Sequence, residues 1–487
     1  MKCSSTSDER GGAPMIRSAA RRLAIMTVLC PAMASAQGKQ TPLPPPPPVN
    51  LTLAQALRYA VDHYPTVRAA LEQLNVSTAG VSVAKSAYLP RLDALWQSNR
   101  GTANNIFGQV LPQSVIPAMS GPVLTSASGG SVWGSATGAL FSWEPFDFGL
   151  RHASVASAEA AVARARADEA VTRLEVQTAV GTAFLNIVGA ERAVAALQAD
   201  LDRRDLLARA VHTLVENQLR PGAEASRTDA ERAAAQTRLI QAQEAVTLGQ
   251  IALARVLGTT ASVAIDARTL VDQLPADAPT GPPATHPLAQ VRQAATELAR
   301  AQEDVLSRTD LPRVYFQSSV FARGSGANPN GQLDGGIAGL GLDRANWAAG
   351  VQVVFPNAFD FTNLNARKAA AAASARAETA RFDEAMLTVT SQQQAAAAMV
   401  QAARAVAANT PVQLAAARQS EAQATARYQA GLASIVEVAD AQSLLAQAEV
   451  QDQLARIDVW RALLAQAAAQ GTLEGFLSLL NPSAGVR

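Results

Sequence analysis

One long pattern occurs twice in this sequence, and the two copies lie 222 positions apart. His-Tyr-Pro at 63–65 precedes Leu-Pro-Arg at 89–91, and Thr-His-Pro at 285–287 precedes Leu-Pro-Arg at 311–313. In each copy a proline-free stretch with helical spacing joins the two tripeptides. An alternating segment, a loop rich in Gly, Asn and Ser, a second alternating segment and a long helical stretch follow. This duplication predicts two structural repeats, each ordered helix, strand, strand, long helix, turn and helix.

The long helical stretches restrict the fold further. Twelve positions from Val176 to Val215 follow one another at steps of four and three, and all are apolar except Arg204. This is the spacing of a coiled-coil seam. A helix over 150–213 would be about 96 Å long, and its counterpart over 362–427, with Pro411 as an expected kink, about 99 Å. Helices of this length disfavour a compact globular enzyme.

Each long helix is predicted to reverse at a glycine, Gly222 in the first repeat and Gly431 in the second, where a left-handed backbone can end a helix. The return helices are predicted at 223–257 and 432–468. Helix 52–86 runs into the strands and 223–257 runs back toward them. The two shorter helices can therefore stack end to end beside the long one.

Four segments alternate between apolar and polar residues: 88–109, 131–148, 311–323 and 345–361. They hold 15 of the 22 aromatic residues and four of the five tryptophans. An apolar face with aromatic residues near the strand ends is typical of membrane β-strands, although an amphipathic sheet on a soluble core gives a similar pattern. The expected aromatic belt consists of Trp96, Trp133, Trp143 and Trp347.

Four strands cannot close a membrane barrel. The smallest known barrels have about eight strands, and an open sheet edge in lipid leaves backbone groups without hydrogen-bond partners. At least two chains must therefore share one barrel, and three chains would supply twelve strands.

The first residues predict export. Arginines precede an apolar stretch, and Ala34-Ser35-Ala36 is a small-residue cleavage site, so 1–36 is interpreted as a signal peptide. Lipid attachment at Cys30 is disfavoured because Leu29, not a small residue, precedes it. A net charge of +1 argues against nucleic-acid binding. Four histidines without ligand spacing and two cysteines, both in the first 30 residues, predict no metal and no cofactor.

Several short motifs, in order and partly duplicated, resemble the TolC-like outer-membrane efflux protein family. They are Leu-Thr-Leu-Ala-Gln-Ala-Leu at 51–57, Pro-Phe-Asp-Phe-Gly at 145–149, Leu-Gly at 257–258, and Arg-Tyr-Gln-Ala-Gly at 427–431, which continues through 435–441. The resemblance covers about 51–470. It implies a homotrimer with a twelve-stranded barrel in the outer-membrane lipid of a Gram-negative bacterium and a twelve-helix tunnel across the periplasm. It also implies two partners, a periplasmic adaptor and an inner-membrane transporter, and no catalysis by the chain itself.

The resemblance also implies working residues. Glu437 and Asp440 match acids that line the constricted tunnel entrance, and Tyr428 matches a tyrosine that helps to hold the entrance closed. Asp229 is the first-repeat counterpart of Glu437. Where a family member carries an arginine, this chain has Ala433, so the closing contact is expected to differ. The alternative is that acids early in a helix only stabilise its positive end. The tips at Gly222 and Gly431 would contact the adaptor.

The predicted fold class is mainly α with a small β part: long antiparallel coiled-coil helices and four transmembrane strands per chain that form a shared barrel and tunnel. The predicted function is a passive exit duct for efflux or secretion. A periplasmic coiled-coil adaptor or scaffold without a pore is the alternative, and an exported hydrolase is disfavoured because no nucleophile motif is present. The predicted organisation is a signal peptide (1–36), a proline-rich spacer (37–50), a first repeat (51–260), a linker (261–283), a second repeat (284–470) and a C-terminal tail (471–487).

Overall fold

The computed structural model describes residues 50–102, 104, 111–117, 129–261, 263–267, 270, 275, 282–356 and 360–480. The predicted signal peptide with Cys30, and the spacer apart from Asn50, lie outside the described residues. So do several positions of the predicted linker and residues 481–487 of the predicted tail.

The described chain contains two successive sets of elements in the predicted order. The first set is β1 (Asn50–Leu51), α1 (Leu53–His63), α2 (Pro65–Ser86), β2 (Arg91–Thr102), β3 (Ser131–Phe146), α3 (Leu150–Glu216), α4 (Gly222–Val256) and β4 (Ala264–Ile265). The second set is α5 (Pro287–Ser307), β5 (Arg313–Ser325), β6 (Arg344–Val354), α6 (Phe361–Gln429), α7 (Ile435–Gln470) and α8 (Glu474–Leu480). The mainly helical fold class with a small β part is confirmed.

The two long helices, α3 and α6, are longer than the sequence predicted. α3 has 67 residues and α6 has 69, which correspond to about 100 Å and about 104 Å. Pro411 lies inside α6, which continues through it. The helix predicted over 52–86 is instead two helices, because Pro65 starts α2 and Tyr64 adopts an extended conformation before it.

The shorter helices stack end to end, and the duplicated prolines mark the two junctions. Gly258, just after α4, faces Pro65 at the start of α2, and Gly471, just after α7, faces Pro287 at the start of α5. Both glycines have positive φ, 74° and 84°. A Cβ at Gly471 would lie 2.5 Å from Cδ of Pro287, so only glycine fits there. The α2–α4 and α5–α7 columns therefore run the length of the long helices.

The helices form an arc with a defined order. α3 packs against α2 and α4 on one side and against α5 and α7 on the other, whereas α6 packs chiefly against α5 and α7. The main apolar core lies where α3 and α7 meet α1, α8 and the short parallel pair of β1 and β4. Trp460 of α7 anchors this region, since its indole Nε1 donates to the Leu270 carbonyl at 2.8 Å. The order of the arc is α2–α4, α3, α5–α7, α6.

The four long strands form one antiparallel sheet in the order β2-β3-β5-β6. Ala94, Ala139, Val320 and Trp347 are paired across it in one row, on the face that the sequence predicted to be apolar. That face is open in the protomer, and Trp347 is 77% exposed. β2 and β6 are the edges, and each has a paired strand on one side only.

A compact polar contact joins β3 to α3. The Asp147 carboxylate accepts hydrogen bonds from the Gly149 and Arg151 backbone amides at 3.1 and 2.6 Å and from Arg151 Nε at 2.9 Å. The Arg151 guanidinium also stacks on Tyr88 at 4.8 Å. Burial acts to raise the pKa of Asp147, but the hydrogen bonds and charge of Arg151 outweigh it and hold the pKa below its usual value. The Asp147–Arg151 pair fixes the start of α3 against the end of the sheet.

Candidate functional site

The two helical hairpins end in different turns. In the second hairpin Gly431 has φ 74°, and its amide donates to the Tyr428 carbonyl at 3.0 Å, as expected for a glycine that ends a helix. The same expectation for Gly222 is wrong, because Gly222 is the first residue of α4 and follows Pro221. Gln218 adopts the left-handed conformation instead, with φ 58°. The first turn therefore reverses before the proline, whose fixed φ suits the start of a helix.

Tyr428 joins the two hairpins at the tip. Its side chain is buried, and its hydroxyl donates to Glu224 Oε2 of α4 at 2.8 Å. The Arg220 guanidinium lies 4.7 Å from the centre of the Tyr428 ring, donates to the Tyr428 carbonyl at 3.4 Å and lies 3.8 Å from Glu224. We call Arg220, Glu224 and Tyr428 the tip latch. The family resemblance at 427–431 marks Tyr428, whereas no motif in the sequence marks Arg220 and Glu224, which flank the first-repeat glycine.

The tip latch is shielded from water. Tyr428 packs in a small apolar cluster with Val211, Ala225, Ile435 and Val438. Burial, followed by the hydrogen bond to Glu224 and its negative charge, raises the pKa of Tyr428 to about 12. The hydroxyl therefore stays protonated at neutral pH and can donate to the carboxylate. A shielded hydrogen bond to a charged acceptor is stronger than a neutral one.

Glu437 and Asp440 lie on the exposed side of α7, opposite the buried Val438 and Ala439. Glu437 also caps the helix, because its carboxylate accepts from the Ser434 amide at 3.3 Å and the Ser434 hydroxyl accepts from the Glu437 amide at 3.4 Å. This is a capping box. Glu437 therefore stabilises the start of α7, as expected if acids early in a helix serve only that purpose. Its charged group nevertheless remains on the exposed side of the helix.

Asp229 is placed apart from these two acids. It lies on α4, where both of its carboxylate oxygens are 3.0 Å from His212 Nε2 of α3. Within the described residues, no hydrogen bond or ion pair joins Asp229 to Glu437 or Asp440. Asp229 is thus paired with His212 across the α3–α4 interface, whereas Glu437 and Asp440 lie on α7.

The four tryptophans occupy different levels of the sheet. Trp143 and Trp133 lie on one face of β3, ten positions apart, which is about 33 Å along the strand. With the usual strand tilt this gives a height of about 25 Å, the height of the apolar band of a membrane barrel. Trp347 is level with Ala139, and Trp96 is level with Thr137. Trp96 and Trp347 therefore lie between the levels of Trp143 and Trp133.

A short segment of the β2–β3 connection, residues 111–117, packs against the other face of the sheet. Val115 and Ile116 are buried there with Ala136 and Phe321. Gln113 closes the segment on itself, since its Oε1 accepts from the Ile116 amide and its Nε2 donates to the Ile116 carbonyl, both at 2.8 Å. No pattern in the sequence predicts this contact. Because the opposite face is the apolar one, residues 111–117 lie on the side that a closed barrel would enclose.

The described residues contain no group of three or more His, Cys, Asp or Glu side chains that could hold a metal ion. α3 includes a window apolar enough, by composition, to cross a membrane. Its apolar side packs into the core with Val180, Phe184 and Ile187.

Residues 56–259 match the family of outer membrane efflux proteins. No curated protein matches the sequence. The fold is similar to that of the outer membrane protein VceC from Vibrio cholerae, with a TM-score of 0.69, 18% identity and coverage of 86% of this chain and 96% of that chain.

Two further solved structures are similar. CusC gives a TM-score of 0.73 at 13% identity, with coverage of 87% of this chain and 93% of that chain. The Campylobacter jejuni CmeC outer membrane channel gives a TM-score of 0.71 at 15% identity, with coverage of 86% of this chain and 85% of that chain. At these identities the likeness to the solved structures concerns the fold. None of these similarities supports an adaptor or scaffold without a pore.

Proposed function

The chain is a TolC-like outer membrane efflux protein in the sequence of its first half and in its fold, and on this premise we propose that three copies close into one channel. In this assembly the sheets form a barrel across the outer membrane, and the helices form a tunnel on its periplasmic side. The channel is a passive duct for efflux or secretion and catalyses no reaction itself.

The observation that carries this proposal is the incomplete arc of the protomer. One end of the arc, α2 and α4, exposes apolar side chains such as Val83, at 70%, and Ile251, at 62%. The other end, α6, exposes Leu387 at 74% and Val412 at 68%. The two ends are different surfaces, so each can cover the other only in a neighbouring copy. Contacts of this head-to-tail kind close into a ring when the rotation from one copy to the next closes.

The sheet requires the same closure. β2 and β6 each present an unpaired edge beside an apolar face, and in lipid such an edge costs several kcal/mol for each unpaired backbone group. Joining β6 of one copy to β2 of the next removes both edges. Three copies give twelve strands and twelve helical columns, because each protomer contributes four of each. The sheet and the arc of helices thus support the same ring.

The constriction is proposed at the helix tips. Three copies of Glu437 and Asp440 on the exposed side of α7 would place six carboxylates around one opening, which would favour cations. The tip latch holds the second hairpin against the first and so keeps this opening narrow. The turns at 217–221 and 430–434 lie beyond it, where a periplasmic adaptor would dock and link the channel to an inner-membrane transporter.

Two measurements test this function. Unboiled outer membranes should give a heat-sensitive oligomer three times the size of the boiled chain, and the purified protein should form cation-selective channels in planar bilayers. Glu437→Gln with Asp440→Asn should raise conductance and reduce cation preference; because Gln also completes a capping box, the helix start is retained. Asp458→Asn, an exposed acid higher on α7, is the matched control. A water-soluble monomer without channel activity would contradict the proposal.

A further inference from the structure

A group of six charged residues ties α7 to the first hairpin above the tip. Three arginines, Arg203, Arg204 and Arg238, face three acids, Asp200, Glu231 and Glu449, across helices α3, α4 and α7. We call these residues the charge cluster. Its formal charges cancel, and its centre is closed to water, since Asp200 is 0% and Arg204 2% exposed. Arg204 is the single charged position in the coiled-coil seam of α3.

Arg204 reaches all three helices. Its Nε donates to both Asp200 oxygens at 3.1 Å, its Nη1 to Glu231 Oε2 of α4 at 3.0 Å, and its Nη2 to the Ser443 hydroxyl of α7 at 3.0 Å. Arg203 adds a second connection to α7, with its Nη2 2.7 Å from Glu449 Oε2. A planar guanidinium with its donors in fixed directions constrains the partners it binds more tightly than an apolar contact does.

These contacts fix the rotation of α7 near the proposed constriction. Ser443 lies three residues after Asp440, about 4.5 Å along the helix and about 60° around it. Glu437 lies about 9 Å from Ser443 along the helix and about 120° around it. Because Arg204 binds α7 at Ser443, its contact sets the direction in which the Glu437 and Asp440 carboxylates point. Glu449, about one and a half turns further on, prevents rotation about a single contact.

The cluster is separate from the tip latch. Arg204 lies about 18 Å above the end of α3 at Glu216, whereas Tyr428 of the latch packs closer to that end, against Val211. Between Arg204 and the small apolar cluster that holds Tyr428 lies a cavity of about 10 Å³ bounded by Leu207, Thr228 and Gln442. Such a cavity has room for about one water molecule, so the packing of α7 is interrupted just below the charge cluster.

We propose that the charge cluster is the positioning device of the constriction. It holds α7 at one height and one rotation, so that release of the tip latch displaces only the part of α7 below Ser443. This inference rests on the proposed channel function. Its residues act on the passing ions through Glu437 and Asp440, so they are positioning residues and do not line the opening.

The test uses the full-length trimer in planar bilayers. Arg203→Met and Glu449→Met, singly and together, should raise single-channel conductance and move the reversal potential toward zero, because α7 can rotate and the carboxylates disperse. The double variant should resemble the single ones in conductance but recover thermal stability, because it leaves neither charge unpaired at this partly buried contact. Arg232→Met, which breaks the exposed pair with Asp205 at 3.3 Å on the same α3–α4 interface, should leave conductance unchanged.

The outcomes separate the inference from the function on which it rests. Reduced stability with unchanged conductance and selectivity would mean that the cluster only stabilises the fold, and would overturn the inference while leaving the channel intact. No channels from the unmodified protein would overturn the proposed function itself. If the Glu449 variants do not assemble, Ser443→Ala removes the hydrogen bond from Arg204 to α7, together with the bond that the Ser443 hydroxyl donates to the Ala439 carbonyl of the same helix at 2.9 Å. Unchanged conductance in an assembled Ser443→Ala channel would then overturn the inference.

Discussion

Replacing Tyr428 with phenylalanine removes one hydroxyl from the tip latch and leaves the ring in place. The lost contact is the 2.8 Å hydrogen bond to Glu224, and the stacking of Arg220 on the ring is retained. A hydrogen bond to a charged group contributes about 1.5–3 kcal/mol. Since the Tyr428 hydroxyl is shielded and the Glu224 side chain is 17% exposed, about 2 kcal/mol per protomer is a reasonable value within that range.

A loss of about 2 kcal/mol changes the ratio of latched to unlatched tips about 30-fold in each protomer. If the three protomers open together, the total is about 6 kcal/mol, so a channel that is closed almost all the time should open often. The assay is single-channel recording in planar bilayers, with mean open time and conductance as readouts. Tyr88→Phe, which removes a hydroxyl at the opposite end of α3, is the matched control.

Glu224→Gln keeps an acceptor for the Tyr428 hydroxyl but not the charge, so its open probability should lie between those of the unmodified channel and Tyr428→Phe. Assembled Tyr428→Phe channels with the open time and conductance of the unmodified protein would refute the assignment of the latch. A combined Tyr428→Phe and Glu224→Gln channel should open more often than Tyr428→Phe alone, because Gln at 224 also removes the ion pair with Arg220 at 3.8 Å.

Four further predictions follow from individual contacts. The raised pKa of Tyr428 means that the stability contributed by its protonated hydroxyl is present below the ordinary value of 10.0 and is lost as pH rises through about 12; open probability should therefore rise only above pH 10, and Tyr428→Phe should abolish that rise. Burial lowers the pKa of His286 below 6.5, and its Nδ1 accepts from the Leu288 amide at 3.1 Å, so the melting temperature should fall as pH drops below 6.5, and His286→Asn should flatten this dependence. Gly471→Ala should lower the free energy of unfolding by at least about 1 kcal/mol, because Gly471 has a positive φ and contacts Pro287. Gly222 has open space around it, so Gly222→Ala should slightly stabilise α4 in the same thermal melts. Ile116→Ser with Val115→Ser should release residues 111–117 from the inner face and raise conductance, and unchanged conductance would show that this segment does not narrow the barrel.

Local periodicity made much of the fold predictable. The steps of three and four along α3 and the alternation along β6 depend on neighbours a few residues away, which is the information that a sequence displays directly. The apolar face of the sheet could be assigned for this reason. The prediction that several chains share one barrel also followed from the sequence, because it depends on strand number and on the cost of unpaired edges in lipid.

The contacts of the tip latch were not predictable in the same way. Glu224 and Tyr428 are 204 positions apart, and nothing local to either residue identifies the other. The contact of Arg220 with Tyr428, which joins the two hairpins, likewise required the packed structure.

The sequence by itself determined two repeats, two helices of about 100 Å and a sheet that is incomplete in one chain, because each follows from the spacing of side chains along a regular backbone. Only the tertiary structure decided that Gln218, not Gly222, adopts the left-handed conformation. It also decided that Arg204, the one charged residue of the coiled-coil seam, is the centre of a neutral charge cluster. Such choices depend on which side chains meet across helices. A buried charge is stable only where partners from other elements surround it.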